Sequence, residues 1–345
     1  MRTRKERNGW IRTGAILATA GVVVRPMVRR WLGFDFRGKK ALVTGGSRGL
    51  GLLLARELVK QGADVAICAR DSAELERAQG SLFAIRQNVR VLAITCDLTQ
   101  REEAERMVRT VQDRFGGIDI LINNAGIIQV GPMEEMEIKD YEEAMKTNFW
   151  AALYVTLAAL PVMRRKRKGR IVNISSIGGK LSVPHLLPYS CSKFALTGFS
   201  EGLRAELARY GIVVTTVCPG LMRTGSPRNA HFKGQHRAEY AWFSISDALP
   251  LASINAERAA RQVLDACRHG KAQAILTVQA QVAVLLHSLF PEATAALLGL
   301  VNRVLPSPGG IGKRQLSGEE STSRLSPSFL TALNERAARL TNQLR

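Results

Sequence analysis

The stretch Thr44-Gly45-Gly46-Ser47-Arg48-Gly49-Leu50-Gly51 decides the fold. It follows a short apolar run, residues 41–43, and opens an amphipathic segment, residues 51–61. A strand that runs through glycines into a helix lets backbone approach a phosphate closely. Glycine accepts the tight turn, and the helix N-terminus offers free N–H groups and the positive end of its dipole. A glycine-rich turn alone carries little, so the strand before it and the helix after it give it meaning.

Working outward, the same alternation continues. Apolar, β-branched runs at 65–68, 91–95, 120–122, 171–174 and 212–218 read as buried strands. Amphipathic segments such as 72–86 and 101–115 lie between them, and a last helix–strand pair falls at 255–268 and 272–277. Alternation of this kind predicts a mostly parallel sheet with helices on both faces. The 345 residues suit one large α/β domain with extensions at both ends. We place an N-terminal extension at 1–36, the α/β domain at 37–280 and a helical C-terminal extension at 281–345.

Further motifs carry a resemblance. Asn123-Asn124-Ala125-Gly126 follows the fourth strand, Tyr189-Ser190-Cys191-Ser192-Lys193 lies after the fifth, and Pro219-Gly220 closes the sixth. With the glycine-rich turn, these resemble in order the T-G-x-x-x-G-x-G, N-N-A-G, Y-x-x-x-K and P-G stretches of the short-chain dehydrogenase/reductase family. The resemblance covers about residues 38–280. It implies a doubly wound Rossmann fold with a seven-stranded sheet. It also implies a nicotinamide dinucleotide held by Gly45, Ser47, Arg48, Gly49, Leu50, Gly51, Leu98, Asn124, Ala125, Gly126, Pro219, Gly220 and Thr224.

The cofactor's phosphorylation state can be argued from charge. The second strand ends at Cys68-Ala69-Arg70. An acidic residue at the position of Ala69 would accept from the 2′-hydroxyl of NAD and repel a 2′-phosphate. Arg70 and Arg48 instead favour the phosphate through charge-assisted bonds, which points to NADP(H). The alternative is that both arginines are solvated, or that Asp71 pairs with one of them. Asp97 resembles the family's adenine-binding Asp, and a helix cap in Asp97-Leu98-Thr99 is an equal reading.

Hydride transfer to a carbonyl needs a proton donor at the oxygen and something to hold the developing charge. Tyr189 and Lys193 are four residues apart, so one helical face presents both. A nearby ammonium is expected to lower the tyrosine's pKa from its ordinary value near ~10. The resemblance adds a bond from Lys193 to the nicotinamide ribose. It also assigns Ser176 to the substrate oxygen, with Ser175 as competitor, and Asn148 to a water linking Lys193 with solvent. Cys191 points off the shared face, and His185, on the loop before Tyr189, reads as an exposed loop residue, with a place at the border of the substrate as the alternative.

Composition bounds the rest. With 49 basic and 29 acidic residues the net charge is +20, concentrated at the N-terminus and between 164 and 170. Without zinc-finger or basic-zipper spacing this does not indicate nucleic acid. The 164–170 run suits a helix C-terminus. Five cysteines, an odd number without metal-ligand spacing, suggest a reducing, cytoplasmic setting and no metal. Residues 13–24 are apolar between arginines but too short for a ~30 Å hydrocarbon core. An interfacial helix and a loosely held arm are the two readings. Residues 278–305, divided by Pro291, predict two apolar helices that cover the cleft, form a homodimer or homotetramer face, or touch a membrane. Residues 306–328 read as linker, followed by a helix at about 327–344. The function expected is NADP(H)-dependent carbonyl/alcohol interconversion on an apolar small molecule of steroid, retinoid or acyl type. A membrane-associated NADP(H)-binding interaction protein is the alternative.

Overall fold

A computed structural model describes residues 33–249, 253–323, 326–328 and 331–343. The expectation for residues 1–32 lies outside the described residues. The chain builds β1 (Lys40–Thr44), α1 (Gly49–Lys60), β2 (Asp64–Ala69), α2 (Ser72–Phe83), β3 (Val91–Thr95), α3 (Arg101–Phe115) and β4 (Ile120–Asn123). Then come α4 (Ile138–Met145), α5 (Ala151–Lys166), β5 (Gly169–Ile174), α6 (Leu187–Leu207) and β6 (Ile212–Cys218). The described remainder supplies α7 (His236–Ala248), α8 (Ala256–His269), β7 (Gln273–Ile275), α9 (Val278–Leu289), α10 (Pro291–Val304) and α11 (Ala332–Leu340).

The seven strands form one sheet, all parallel, in the order β7-β6-β5-β4-β1-β2-β3. Strand order reverses at β1, which pairs with β2 on one side and β4 on the other. In a doubly wound sheet the crevice at the C-terminal ends of these strands is where ligands bind.

Two cores explain the layers. On one face Leu54, Leu58, Ala259 and Val263 of α1 and α8 pack on Val43, Val65 and Ile67. On the other, Val108 and Val111 of α3 and Val155 and Met163 of α5 pack on Leu42, Leu121 and Ile171. Helix α3 shows why such segments are helical. Its buried Ala104, Met107, Val108, Val111 and Phe115 form one stripe, and Gly116 ends it in the left-handed region at φ 73°. Helix α8 starts at Asn255, whose side chain accepts from the Arg258 amide. The basic run fits its bland reading, since α5 ends with Arg164, Arg165 and Lys166 in its last turn.

Helices α9 and α10 form the expected apolar pair around Pro291, and leave Val282, Leu285, Leu289, Leu297 and Leu300 exposed. No helix among the described residues is long and apolar enough to cross a membrane. The stretch expected as linker is pinned instead. Residues Leu316–Ser317 pair antiparallel with His231–Phe232, which pair in parallel with Gln129–Val130. Glycine and serine there serve turns that close onto the domain, such as the Gly309 amide donating to Glu135 Oε1 at 2.9 Å. The final helix is shorter than expected.

Candidate active site

The glycine-rich turn is built by close packing. Gly45 and Gly49 hold φ of 61° and 58°. A Cβ on Gly51 would lie 2.1 Å from the Gly45 carbonyl oxygen, so α1 rests directly on the backbone of the turn. Asn124 Nδ2 donates to the carbonyls of Thr44 and Gly45 at 3.0 and 3.1 Å. Thr44 Oγ1 in return accepts from the amides of Asn124 and Ala125 at 2.9 and 3.0 Å. No side chain caps the first turn of α1.

Except for Gly51 and Asn148, every residue singled out for cofactor or catalysis lines a single cleft of about 1240 Å³. Single-ligand pockets measure ~300–1,000 Å³, so this cleft accommodates a dinucleotide beside a substrate. Gly51 lies behind the turn, and Asn148 is fully buried beside Gly126.

At the end of the cleft nearest β2 the expectation needs correcting. Arg48 is not a free cation. Its Nη1 pairs with Glu74 Oε1 at 2.9 Å, and Ser47 Oγ donates to Glu74 Oε2 at 3.0 Å. Glu74 is 5% exposed, so the pair is partly shielded from water. In the sequence Asp71-Ser72-Ala73-Glu74 looks like an ordinary helix start, and Asp71 does accept from the Glu74 amide at 2.9 Å. The glutamate side chain turns away to the glycine-rich turn. Arg70 is exposed at the rim. Asp97 closes a turn on Thr99, taking its amide at 3.0 Å and hydroxyl at 2.9 Å, and lines the cleft as well. It does not cap α3, whose first turn follows Gln100.

At the other end, Pro188 in the first turn of α6 is compatible with helix and sets Tyr189 just inside it. Lys193, one turn on, donates to the Ile174 carbonyl at 3.1 Å and lies 5.7 Å from the centre of the Tyr189 ring. Ser176, two residues past the end of β5, lies against the phenol and draws its pKa down, though burial outweighs this. Ser175 is excluded as competitor, because its hydroxyl is engaged with the Lys193 carbonyl at 3.0 Å and Thr197 at 2.8 Å. Asn148 sits in a π-helical turn, Lys146–Trp150, a local widening often found at functional sites. Its Oδ1 accepts from the Ile127 amide at 2.9 Å, and its Nδ2 donates to Ser192 Oγ at 2.8 Å.

The electrostatics also differ from expectation. Burial pushes the Tyr189 phenol up to about 12 and the Lys193 ammonium down to about 8. Desolvation is the largest influence on both groups. The phenol holds its proton at neutral pH, as a proton donor requires.

Three further groups were not legible in the sequence. His185 is buried, not exposed, with φ 64° and its Nδ1 2.8 Å from Glu239 Oε1. Glu239, fully buried, also accepts from Trp242 Nε1 at 2.6 Å. Asp247 lines the cleft near Tyr189, accepts from the Met222 amide at 3.2 Å, and is pushed by burial from the ordinary 3.8 up to about 7. All three depend on where α7 lands, which periodicity does not show. A raised carboxyl pKa means the folded state holds its proton longer than the unfolded one. Its contribution to stability is present below 3.8 and is lost as pH rises to about 7. Asp247→Asn is therefore expected to gain melting temperature relative to the parent as pH increases from 4 to 8. A difference that stays flat with pH would refute this assignment.

Fold and site together define a dinucleotide-dependent oxidoreductase with a tyrosine–lysine pair. The sequence profile of the short chain dehydrogenase family matches residues 39–233, and the chain belongs to that family. It is 41% identical over 187 residues to a ketoacyl-reductase-like protein of Streptomyces coelicolor, covering 53% of this chain and 70% of that one. It is 35% identical over 191 residues to gluconate 5-dehydrogenase of Gluconobacter oxydans (55% and 74%). It is 36% identical over 185 residues to 3-dehydrosphinganine reductase of Danio rerio (53% and 56%). A short-chain dehydrogenase structure from Streptomyces avermitilis superimposes with a TM-score of 0.67 at 30% identity, covering 77% of this chain and 98% of that one.

Proposed function

We propose that the protein is an NADP(H)-dependent reductase that converts a ketone or aldehyde on an apolar, lipid-like substrate to an alcohol, reversibly. The observation that carries this reading is Tyr189 set beside Lys193 and Ser176, in a cleft walled by Val183, Leu186, Met222, Trp242 and Phe243. The Tyr189 hydroxyl gives its proton to the carbonyl oxygen as charge develops there, and Ser176 donates a hydrogen bond to the same atom. Lys193 holds the phenolate that is left. Asn148, through Ile127 and Ser192, fixes the backbone on which these groups sit. The cofactor, when bound, supplies or accepts the hydride. Its pyrophosphate suits the uncapped first turn of α1 and the backbone of the glycine-rich turn.

Relatives named for ketoacyl and 3-dehydrosphinganine reduction support an apolar substrate, whereas gluconate 5-dehydrogenase would suggest a polar one. The apolar wall favours the former. A screen of long-chain ketones, steroids, retinals and polyols, followed by NADPH absorbance, tests this directly. Turnover of gluconate-like polyols with no reduction of long-chain ketones overturns it.

The preference for NADP(H) is supported by Ala69 in place of an acid and by Arg48 and Arg70 at the rim. Glu74 opposes it, since a 2′-phosphate must share Arg48 with that carboxylate. Arg48→Ala with Arg70→Ala is expected to weaken NADPH binding by about 10- to 100-fold, from the loss of charge-assisted bonds, and to leave NADH nearly unchanged. Glu74→Gln should tighten NADPH. Fluorescence titration with both cofactors reads these changes, and equal losses for NADPH and NADH would refute the assignment.

A further inference from the structure

We propose that residues 341–343 are part of the cofactor site: a strap laid across the dinucleotide cleft, which must lift before cofactor enters or leaves. The proposal rests on the nicotinamide cofactor of the family to which the chain belongs. It does not depend on the substrate or on the choice between NAD and NADP. It draws on a part of the chain beyond the 39–233 stretch that the family profile matches.

Helix α11 carries the strap to its place. Its Glu335 pairs with Arg228 at 2.5 Å, and Asn334 Nδ2 donates to the Ser244 carbonyl at 3.0 Å. Ala338 packs so closely on Gly225 that a Cβ there would lie 2.5 Å from the alanine's own. The chain then leaves the helix and turns, with Asn342 in the left-handed region at φ 57°.

Thr341, Asn342 and Gln343 tie two walls of the cleft together. On the side of the glycine-rich turn, the Thr341 carbonyl accepts the Gly49 amide at 2.9 Å. Asn342 Nδ2 donates to the carbonyls of Ser47 and Glu74 at 2.9 and 3.0 Å, and its Oδ1 accepts from Arg77 at 3.0 Å. On the side of the segment after β6, Thr341 Oγ1 donates to the Thr224 carbonyl at 2.9 Å and Gln343 Nε2 to the same oxygen at 2.6 Å. Gln343 Oε1 accepts from Asn229 Nδ2 at 2.7 Å. Both walls carry residues expected to hold the dinucleotide, the glycine-rich turn on one side and Thr224 on the other.

The strap roofs the cleft and does not fill it. Asn342 and Gln343 are among the lining residues, and about 1240 Å³ remains open with both in place. Most of its bonds fall on backbone carbonyls, which a phosphate cannot use. Among the backbone amides of the glycine-rich turn only that of Gly49 is taken by the strap, while Leu50, next along the uncapped turn, faces the cleft. Cofactor and strap can therefore be present together, with the strap outermost.

The test compares the full chain with Asn342→Gly/Gln343→Ala and with a chain ending at Leu340. Glycine keeps the left-handed backbone at 342 and removes only the side chain. Trp242 lines the cleft, so energy transfer to the reduced nicotinamide reports NADPH and NADH binding in stopped flow. Both association and release should accelerate, about tenfold or more, with a smaller change in equilibrium affinity, because several hydrogen bonds no longer have to break first. Release within about twofold of the parent chain overturns the proposal. Faster association with unchanged release also overturns it, since the segment would then only obstruct an empty cleft. If the parent chain binds neither cofactor, the cofactor reading itself fails. Melting temperatures without cofactor complete the test: acceleration that tracks a loss of fold stability assigns the segment to structure, not to exchange.

Discussion

Tyr189→Phe is expected to lower kcat/KM for carbonyl reduction by about 10²- to 10⁴-fold, the contribution of a positioned proton donor. Cofactor affinity should stay where it was. The ring keeps its packing against the apolar cluster of Leu186 and Phe243, so the change removes the hydroxyl alone. Ser176 still offers a hydrogen bond to the substrate oxygen but has no path to give up a proton cheaply. Burial holds the phenol up at about 12 and brings Lys193 down to about 8. The parent enzyme should accordingly lose reductive rate as pH rises above about 8, where the ammonium that steadies the phenolate discharges. The measurement is steady-state NADPH oxidation with the best ketone from the screen. Turnover unchanged in the phenylalanine variant would end the catalytic assignment.

Gly51→Ala is expected to abolish measurable cofactor binding and to lower the melting temperature. The added methyl would sit 2.1 Å from the Gly45 carbonyl oxygen and 2.5 Å from Asn124 Nδ2. Neither neighbour can move freely. Gly45 is backbone, and Asn124 is tied to the carbonyls of Thr44 and Gly45. Overpacking of this kind costs about 1–3 kcal/mol, and here relief requires opening the turn that meets the phosphates. Gly80 offers the contrast, since a Cβ there meets nothing within 4 Å. Gly80→Ala should bind cofactor as the parent does and gain slightly in stability from better helix propensity. Calorimetric titration with NADPH, beside thermal melts, reads both. Normal binding by Gly51→Ala would mean that the turn is not the phosphate cradle.

Much of the sheet was legible because a buried parallel strand has few ways to be written. Runs such as residues 65–68 and 120–122 are apolar throughout, and both faces of the sheet are covered. The cleft was legible for a related reason: glycines, an asparagine and a Y-x-x-x-K spacing are local patterns. The features that escaped are long-range. Glu74 looks like a capping residue until β2, α2 and the glycine-rich turn are assembled and Arg48 comes within 2.9 Å. His185 meets Glu239 across 54 residues. Residues 306–323 have a linker's composition, yet they take backbone partners on His231, Phe232 and Gly234. Glycine and serine mark a bend without telling where the bent chain lands. The tyrosine's pKa was misjudged because a sequence shows the neighbouring ammonium but not the depth at which both are buried.

The three short strands centred on His231–Phe232 bear on how this protein could be re-engineered. That strand is sandwiched between Gln129–Val130 and Leu316–Ser317, so residues 221–249, which join β6 to the segment before α8, have a native neighbour on either flank. Grafting that connection alone into another member of the family would import a strand with one edge bare, inviting register slip or self-association. A working chimera has to carry residues 306–343 along with it. Residues around His231–Phe232 are therefore transferable only together with the distant segment that flanks them, and not as a single interchangeable loop.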